Sequence, residues 1–324
     1  MVGSISKTLV GHEQAAAIVV DAFGADVHLV ELTEATEGWF NAAYVMTLSD
    51  GRRCVLKVAP PPGIAVLTYE HDIMATEVAA LALVAERTTM PVPHVLWSDT
   101  TCRRLPSALF VMEHCPGTLL SLIRPTLDVG QQQFIDGQLA GFLREMHSIT
   151  NPMFGLQAPS APKFETWRDA FLRLFEDALA DGATAGTDFP VSYETLRSIV
   201  ENKADFLDDV AVPRFVHWDL WDSNVFVDPD TLEVVGVIDF ERSLWGDPLM
   251  EAQFVAKADD EAFIASYGTP MLDTQAARIR RLLYDLYLFV IMVVEVSYRH
   301  YPTDDIDRFS RERLATTLDK LASH

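Results

Sequence analysis

The apolar pattern of this chain changes once, at Cys115-Pro116-Gly117, and that change limits the folds open to it. Upstream, residues 26 to 58 carry three β-rich runs, "DVHLVEL", "YVMTL" and "RCVLKVA", the last two joined by Ser49-Asp50-Gly51, a hairpin-like turn. Residues 70 to 86 have helical character, with Val78, Leu81 and Val84 three apart, and "MPVP" at 90 to 93 stops them. "ALFVME" at 108 to 113 is another strand, and the proline and glycine that follow suit a hinge. Downstream, Ile135, Leu139, Phe142, Leu143 and Met146 recur at helical spacing, one apolar stripe facing a core.

The remainder is mostly helical with one return to strands. Residues 181 to 190, "DGATAGTDFP", are small, polar and turn-rich and read as a loop. Residues 214 to 240 turn to strands: "FVHWDLWDSN", then "NVFVD", the turn Pro229-Asp230, and "VVGVIDF". The last 80 residues read as helical; their most apolar run, Leu286 to Val294, is bracketed by Asp285 and Glu295 and too short to span a bilayer, so it is expected as a buried helix. The pattern predicts an α+β chain of two lobes meeting at a cleft. An antiparallel-sheet lobe with one main helix covers 1–113, and a larger, mostly helical lobe covers 114–324.

Charge narrows the partners. With 25 basic against 47 acidic residues, the formal charge of -22 repels nucleic-acid phosphate and anionic membranes, so neither is expected as a partner. Cys54, Cys102 and Cys115 lack the spacings of a zinc site or a disulfide framework, which suits a reducing cytoplasm. The start, "MVGSISKTLV", shows neither a basic leader nor a long apolar core. Oligomeric state is left open.

The stretch at 215 to 224 is crowded with groups that serve chemistry. Asp219 and Asn224 lie on a loop leaving a strand, and Asp239 ends the next hairpin, so the three can converge. Phosphoryl transfer needs such a set: a carboxylate to orient and deprotonate a hydroxyl, and an amide with a second carboxylate to hold Mg²⁺ against nucleotide phosphates. Oxygen ligands suit that hard ion. Any one of these residues alone would read as a turn cap.

"HWDLWDSN" together with "IDFE" resembles the His-x-Asp-x-x-x-x-Asn loop and following Asp of aminoglycoside phosphotransferases and the related choline-kinase-like enzymes. "VLKVA", "TEVAALALV", "MPVP" and "FVMEHCPG" stand in family order, so the resemblance covers nearly the whole chain. It implies a bilobal, protein-kinase-like fold and an ATP-dependent small-molecule kinase using Mg²⁺, with GTP left open. Carried over, Asp219 becomes the catalytic base and Asn224 and Asp239 the metal ligands. His217 becomes a scaffold of the loop, and Trp218 departs from the small residue common there. Lys57 is implied as the phosphate-contacting strand lysine, paired with Glu77, with Glu70 as competitor. "EGWFN" at 37 to 41 falls at the nucleotide-covering loop, implicating Gly38 and Asn41, although it holds one glycine only. "MEHC" falls at the inter-lobe link, implicating the Glu113 carbonyl and Cys115 amide in adenine binding. Asp247 and Glu251, the latter a glutamate where aspartate is usual, are read as bracing the catalytic loop.

The acceptor is the least constrained feature. Residues 1–113 carry 7 basic and 13 acidic residues, net -6, which leaves 18 and 34, net -16, for 114–324. That asymmetry favours a cationic acceptor of aminoglycoside type. Asp169, Glu176 and Asp177, in "ETWRDAFLRLFEDALA", are candidates to contact its amines. Glu295 either looks into the substrate cleft or pairs with Arg299 one turn on. Choline, sugar and macrolide kinases are alternatives, and a resistance or a metabolic role stays open. A glycosidase carboxylate pair leaves Lys57 and Asn224 unexplained. A non-catalytic nucleotide-binding module ordinarily requires a broken motif, and here every position is filled.

Overall fold

The computed structural model describes residues 7–35, 40–252, 254, 257, 259–269, 271–299, 301 and 303–323. Period-two burial builds the first sheet. Along β2 (Ala42–Leu48) buried and half-buried side chains alternate strictly, as expected for a strand whose faces meet different layers. β1 (Leu29–Ala35), β2, β3 (Arg53–Val58), β5 (Leu109–Glu113) and β4 (Val95–Asp99) lie in the spatial order β1-β2-β3-β5-β4, antiparallel throughout. The alternate residues feed two cores. Ala42, Tyr44, Met46, Leu56, Val58 and Val111 pack with Ala15, Ile18 and Val19 of helix α1 (His12–Phe23). Phe110 and Met112 point the other way, toward Leu81 and Val84 of helix α2 (Ile73–Arg87). Lys57 stands opposite Phe110 on β5 and Ala43 on β2, at the centre of the sheet.

The second core cluster continues into the later helices: α3 (Val129–Met146), α4 (Trp167–Ala185), α5 (Tyr193–Glu201), α6 (Glu261–Tyr267), α7 (Gln275–Arg299) and α8 (Asp305–Ala322). Two small sheets sit among them: β6 (Thr118–Leu119) with β9 (Val225–Val227) and β10 (Val234–Val237), and β7 (Gly155–Leu156) with β11 (Leu244–Gly246) and β8 (Arg214–Val216). The break at 115–117 is pinned to the first. Gly117 has φ +89°, and a Cβ there would lie 2.4 Å from the Val227 carbonyl oxygen, so only glycine fits.

The expected loop at 181–190 is instead partly helix. α4 runs through Asp181 and Gly182 to Ala185 and stops at Gly186, φ +66°. Gly182 allows close packing: an added Cβ would meet Val294 at 3.0 Å and the Tyr193 hydroxyl at 3.1 Å. Tertiary packing there overrides the weak helix propensity of the sequence. The run 286–294 is buried within α7, as expected, and no helix among the described residues is long and apolar enough to cross a membrane.

Candidate active site

β8 enters the crowded loop and β9 leaves it. His217 is fully buried; its Nδ1 accepts the Asp219 N–H at 3.1 Å while its Nε2 donates to the Ile238 carbonyl at 3.0 Å. That pair fixes the neutral ring, and burial pushes the imidazole below its ordinary pKa. Glu251 accepts the N–H groups of His217 (2.7 Å) and Trp218 (3.2 Å), so this carboxylate shapes the turn before Asp219. Asn224 donates to the Asp219 carbonyl at 2.8 Å and lies 3.4 Å from its Oδ2. The Ile238 N–H bonds the Asn224 carbonyl at 3.0 Å, which brings the end of β10, and Asp239, beside the loop.

Trp218 adopts φ +63°, a left-handed conformation that costs an indole-bearing residue roughly 1–2 kcal/mol. Packing holds it there. The indole stacks on Tyr287 at 5.1 Å and 4°, and meets Tyr69 edge-on at 6.0 Å.

Lys57 is where the two parts of the chain meet. Its Nζ lies 2.5 Å from Glu77, 2.6 Å from Asp239 and 2.9 Å from Glu241. Asn41 donates to the same Glu241 at 2.5 Å. Ligand atoms of Glu77, Asp239 and Glu241 all lie within 4.8 Å of one another. Three carboxylates against one ammonium leave a formal charge of -2, and the titration of these groups reflects it. Burial, with Asp239 and Glu241 adding repulsion against the pull of Lys57, raises Glu77 to about 8. Burial and Asp239 raise Glu241 to about 7. Burial also lifts Asp219, to about 7, with Arg242 pulling down and Asp239 and Glu241 pushing up. Asp239 goes the other way, because Lys57 outweighs its burial. Glu77 Oε1 and Asn41 Oδ1 are buried without a hydrogen-bond partner. Surplus negative charge, closely spaced carboxylate oxygens and orphaned acceptors together fit a hard divalent cation.

Glu241 is the site residue that sequence reasoning passed over. It stood inside the quoted "IDFE", two residues after Asp239, and its acidity was the available signal. Asn41, the last residue of the stretch expected over phosphate, lies immediately before β2 and faces Glu241. Gly38 lies outside the described residues.

Glu70, the competitor for Lys57, belongs to a second buried cluster. Arg299 Nη2 reaches Glu70 at 2.5 Å and Glu295 at 3.2 Å; Arg242 bonds Glu295 at 2.8 Å and Tyr69 donates to Glu295 at 2.5 Å. The expected Glu295–Arg299 pair is therefore present, and two cations meet two carboxylates. Burial raises Glu295, but Arg299 and Arg242 more than reverse that.

The other expected positions scatter. Glu113 ends β5 and holds the His94 N–H through its carboxylate at 3.1 Å. Cys115 is buried, its thiol pushed up to about 12 by burial. Asp247 accepts from Tyr284 (2.7 Å) and Arg280 (2.9 Å). Of the acceptor candidates, Asp169 closes the first turn of α4 with Thr166, and Glu176 is held through both oxygens by Arg197. Asp177 pairs with Arg173 at 2.7 Å yet also lines a small void with Asp181, Tyr69 and Tyr287.

The chain resembles solved structures over most of its length. A putative fructosamine-3-kinase from Thermobifida fusca matches with a TM-score of 0.65 at 18% identity, covering 94% of this chain and 98% of that one. A putative aminoglycoside phosphotransferase from Ralstonia eutropha gives 0.64 at 15% identity, covering 97% and 98%. A thermostable aminoglycoside phosphotransferase mutant in ternary complex with AMP-PNP and hygromycin B gives 0.62 at 17% identity, covering 94% and 98%. At these identities the likeness shows the kinase-like fold. Among curated proteins, mouse acyl-CoA dehydrogenase family member 10 is 26% identical over 232 residues, 69% of this chain; the chain spans about a fifth (20%) of that protein's length. The phosphotransferase enzyme family matches residues 31–281, across both the lysine strand and the Asp219 loop. With more than three quarters of its length matched, the chain is a member of the phosphotransferase enzyme family.

Proposed function

We propose that the protein transfers the γ-phosphoryl group of ATP, held with Mg²⁺, to a hydroxyl of a small cationic acceptor, aminoglycoside-like in charge. The observation that carries this reading is the uncompensated charge around Lys57, placed beside a loop whose base and amide are already in register. Asp239 and Asn224 would hold the metal, with Glu241 close enough to assist, and Mg²⁺ there would supply charge neutralisation at the phosphates. Lys57 orients phosphate, steadied by Glu77. Asp219 takes the proton of the acceptor hydroxyl as that oxygen bonds to phosphorus and ADP departs. Its carboxyl, near neutrality, suits a general base at physiological pH. The Glu113 carbonyl and Cys115 amide, at the inter-lobe link, serve the adenine.

The net charge of -16 on residues 114–324 supports the cationic acceptor, as do Asp177 and Asp181 beside the rings of Tyr69 and Tyr287, the setting in which an ammonium group is favoured. Three free cysteines, two of them buried, accord with a reducing cytoplasm. ADP release measured with paired acceptors, multiply aminated and neutral of similar size, tests the reading. The aminated one is expected to be turned over with higher kcat/KM, and its advantage should shrink as salt rises from about 0.05 to 0.5 M. Turnover confined to neutral acceptors would overturn the charge argument; no ADP release with any acceptor at saturating Mg²⁺ and ATP would overturn the ATP assignment.

A further inference from the structure

A cavity lies apart from the Lys57 cluster. It encloses about 740 Å³ between the end of α3, the start of β8 and the segment from α6 to α7, enough for a small metabolite. It contains none of the residues assigned to the transfer reaction. Its charges are unusual for so acidic a chain. Arg144 and Arg214 line it, and among the described residues neither has a carboxylate partner; Arg214 spends one nitrogen on the His147 carbonyl at 2.7 Å. Arg144 lies with its Cδ 3.8 Å from where a Cβ on Gly268 would stand, so its stem is supported by the turn after α6. A third arginine, Arg280, is already neutralised by Asp247 and Asp209 at 2.9 and 3.0 Å. Asp273 is the remaining lining acid, exposed, which leaves the two free guanidiniums in excess.

The floor of the cavity touches the catalytic loop at one remove. His147 and Tyr267 line it, joined by a 2.9 Å hydrogen bond between the Tyr267 hydroxyl and His147 Nδ1. The other ring nitrogen of His147 lies 3.5 Å from Glu251 Oε1 and has no hydrogen-bond partner. Glu251 is the carboxylate that holds the His217 and Trp218 N–H groups. We propose that this cavity is a second ligand site, for a small polyanion such as a phosphorylated or polycarboxylated metabolite, clasped by Arg144 and Arg214 and felt at the catalytic loop through His147 and Glu251. Guanidinium forks are the side chains best matched to such oxyanions.

Isothermal titration of citrate and, separately, inorganic phosphate into the whole protein tests the proposal, using wild type, Arg144→Gln, and the Arg144→Gln/Arg214→Gln pair. Asp239→Asn serves as a control with an altered transfer site. The expected result is saturable binding of at least one probe at a single site, weakened roughly tenfold in Arg144→Gln and further in the pair, but kept in Asp239→Asn. Amide exchange at His217 and Trp218 should slow when the probe is bound. Arg144 is exposed and has no ion-pair partner among the described residues, so its substitution leaves the fold intact even if the double variant does not fold. Absence of saturable binding, or binding equal in wild type and Arg144→Gln, would overturn the site. Binding that is lost in Asp239→Asn instead would place the anion at the transfer site. Unchanged amide exchange on binding would overturn the link to the loop.

Discussion

Two buried charge clusters stand near Asp219, and they differ in one respect. Around Tyr69, two guanidiniums (Arg242, Arg299) meet two carboxylates (Glu70, Glu295). Around Lys57, one ammonium meets three carboxylates. The first set balances in formal charge, although Arg299 Nε lacks a hydrogen-bond partner. Tyr69 and Glu295 complete it, and Arg299 and Arg242 lie over the rings of Phe40 (4.9 Å) and Tyr69 (5.2 Å). The second is open, with orphaned oxygens on Glu77 and Asn41 and two carboxyls raised toward or above neutrality. Burial penalises both alike. A balanced cluster ties elements together, here the segment before α2 to α7, whereas an unbalanced one is completed by a ligand.

Substitutions can break that contrast, beginning with the largest effect. Asp219→Asn should lower kcat by about 10²- to 10⁴-fold, the usual worth of a general base, with Mg²⁺-nucleotide binding retained; steady-state kinetics beside nucleotide titration checks both halves. Arg299→Met opens the balanced cluster and leaves Glu70 and Glu295 short of a cation, so denaturant unfolding should show a loss of about 3–5 kcal/mol. Lys57→Ala should cost roughly 10- to 100-fold in kcat/KM for ATP and leave the acceptor's KM nearly unchanged. A variant that lost acceptor affinity alone would put Lys57 in the wrong half of the cleft.

The smallest effect is the one that most sharpens the comparison. Glu77 and Glu241 have folded pKa values above their unfolded ones, so the folded chain binds more protons and its stability falls as pH rises. That stabilisation is complete below about pH 4.5 and is lost as pH climbs through about 7 and about 8. In metal-free protein, Glu241→Gln should flatten this slope and be more stable than wild type at pH 8 by about 1 kcal/mol. The same slope in both proteins would show that Glu241 carries no uncompensated charge.

Much of this was legible in the sequence where local pattern and function coincide. The β-rich runs "YVMTL" and "RCVLKVA" and the turn between them marked the central strands, and Asp219, Asn224 and Asp239 marked a loop that the fold does draw together. What escaped depends on distant partners. Nothing near Gly182 announces that Val294 and Tyr193 need it small and helical. Glu176 looks like a free acid until Arg197, on the next helix, is placed beside it. Glu241 became visible only when Lys57, 184 residues earlier in the chain, was seen to touch it. Trp218 looked like a departure from pattern; Tyr287, on α7, explains how an indole is held where the backbone prefers glycine.

The most direct test of the contrast is thermal unfolding of the metal-free chain with AMP-PNP, in the presence of Mg²⁺ or of EDTA, for wild type, Asp239→Asn and Glu70→Gln. If the Lys57 cluster is the open one, Mg²⁺ with AMP-PNP at about a hundredfold excess over Kd adds about 2.7 kcal/mol, a rise of roughly 4 °C for a chain of this length. EDTA should abolish that rise in wild type. Asp239→Asn should not show it, and Glu70→Gln, though less stable throughout, should show it in full. A rise that survives EDTA or Asp239→Asn, or that is lost in Glu70→Gln, would contradict the assignment of the metal-nucleotide site to the unbalanced cluster.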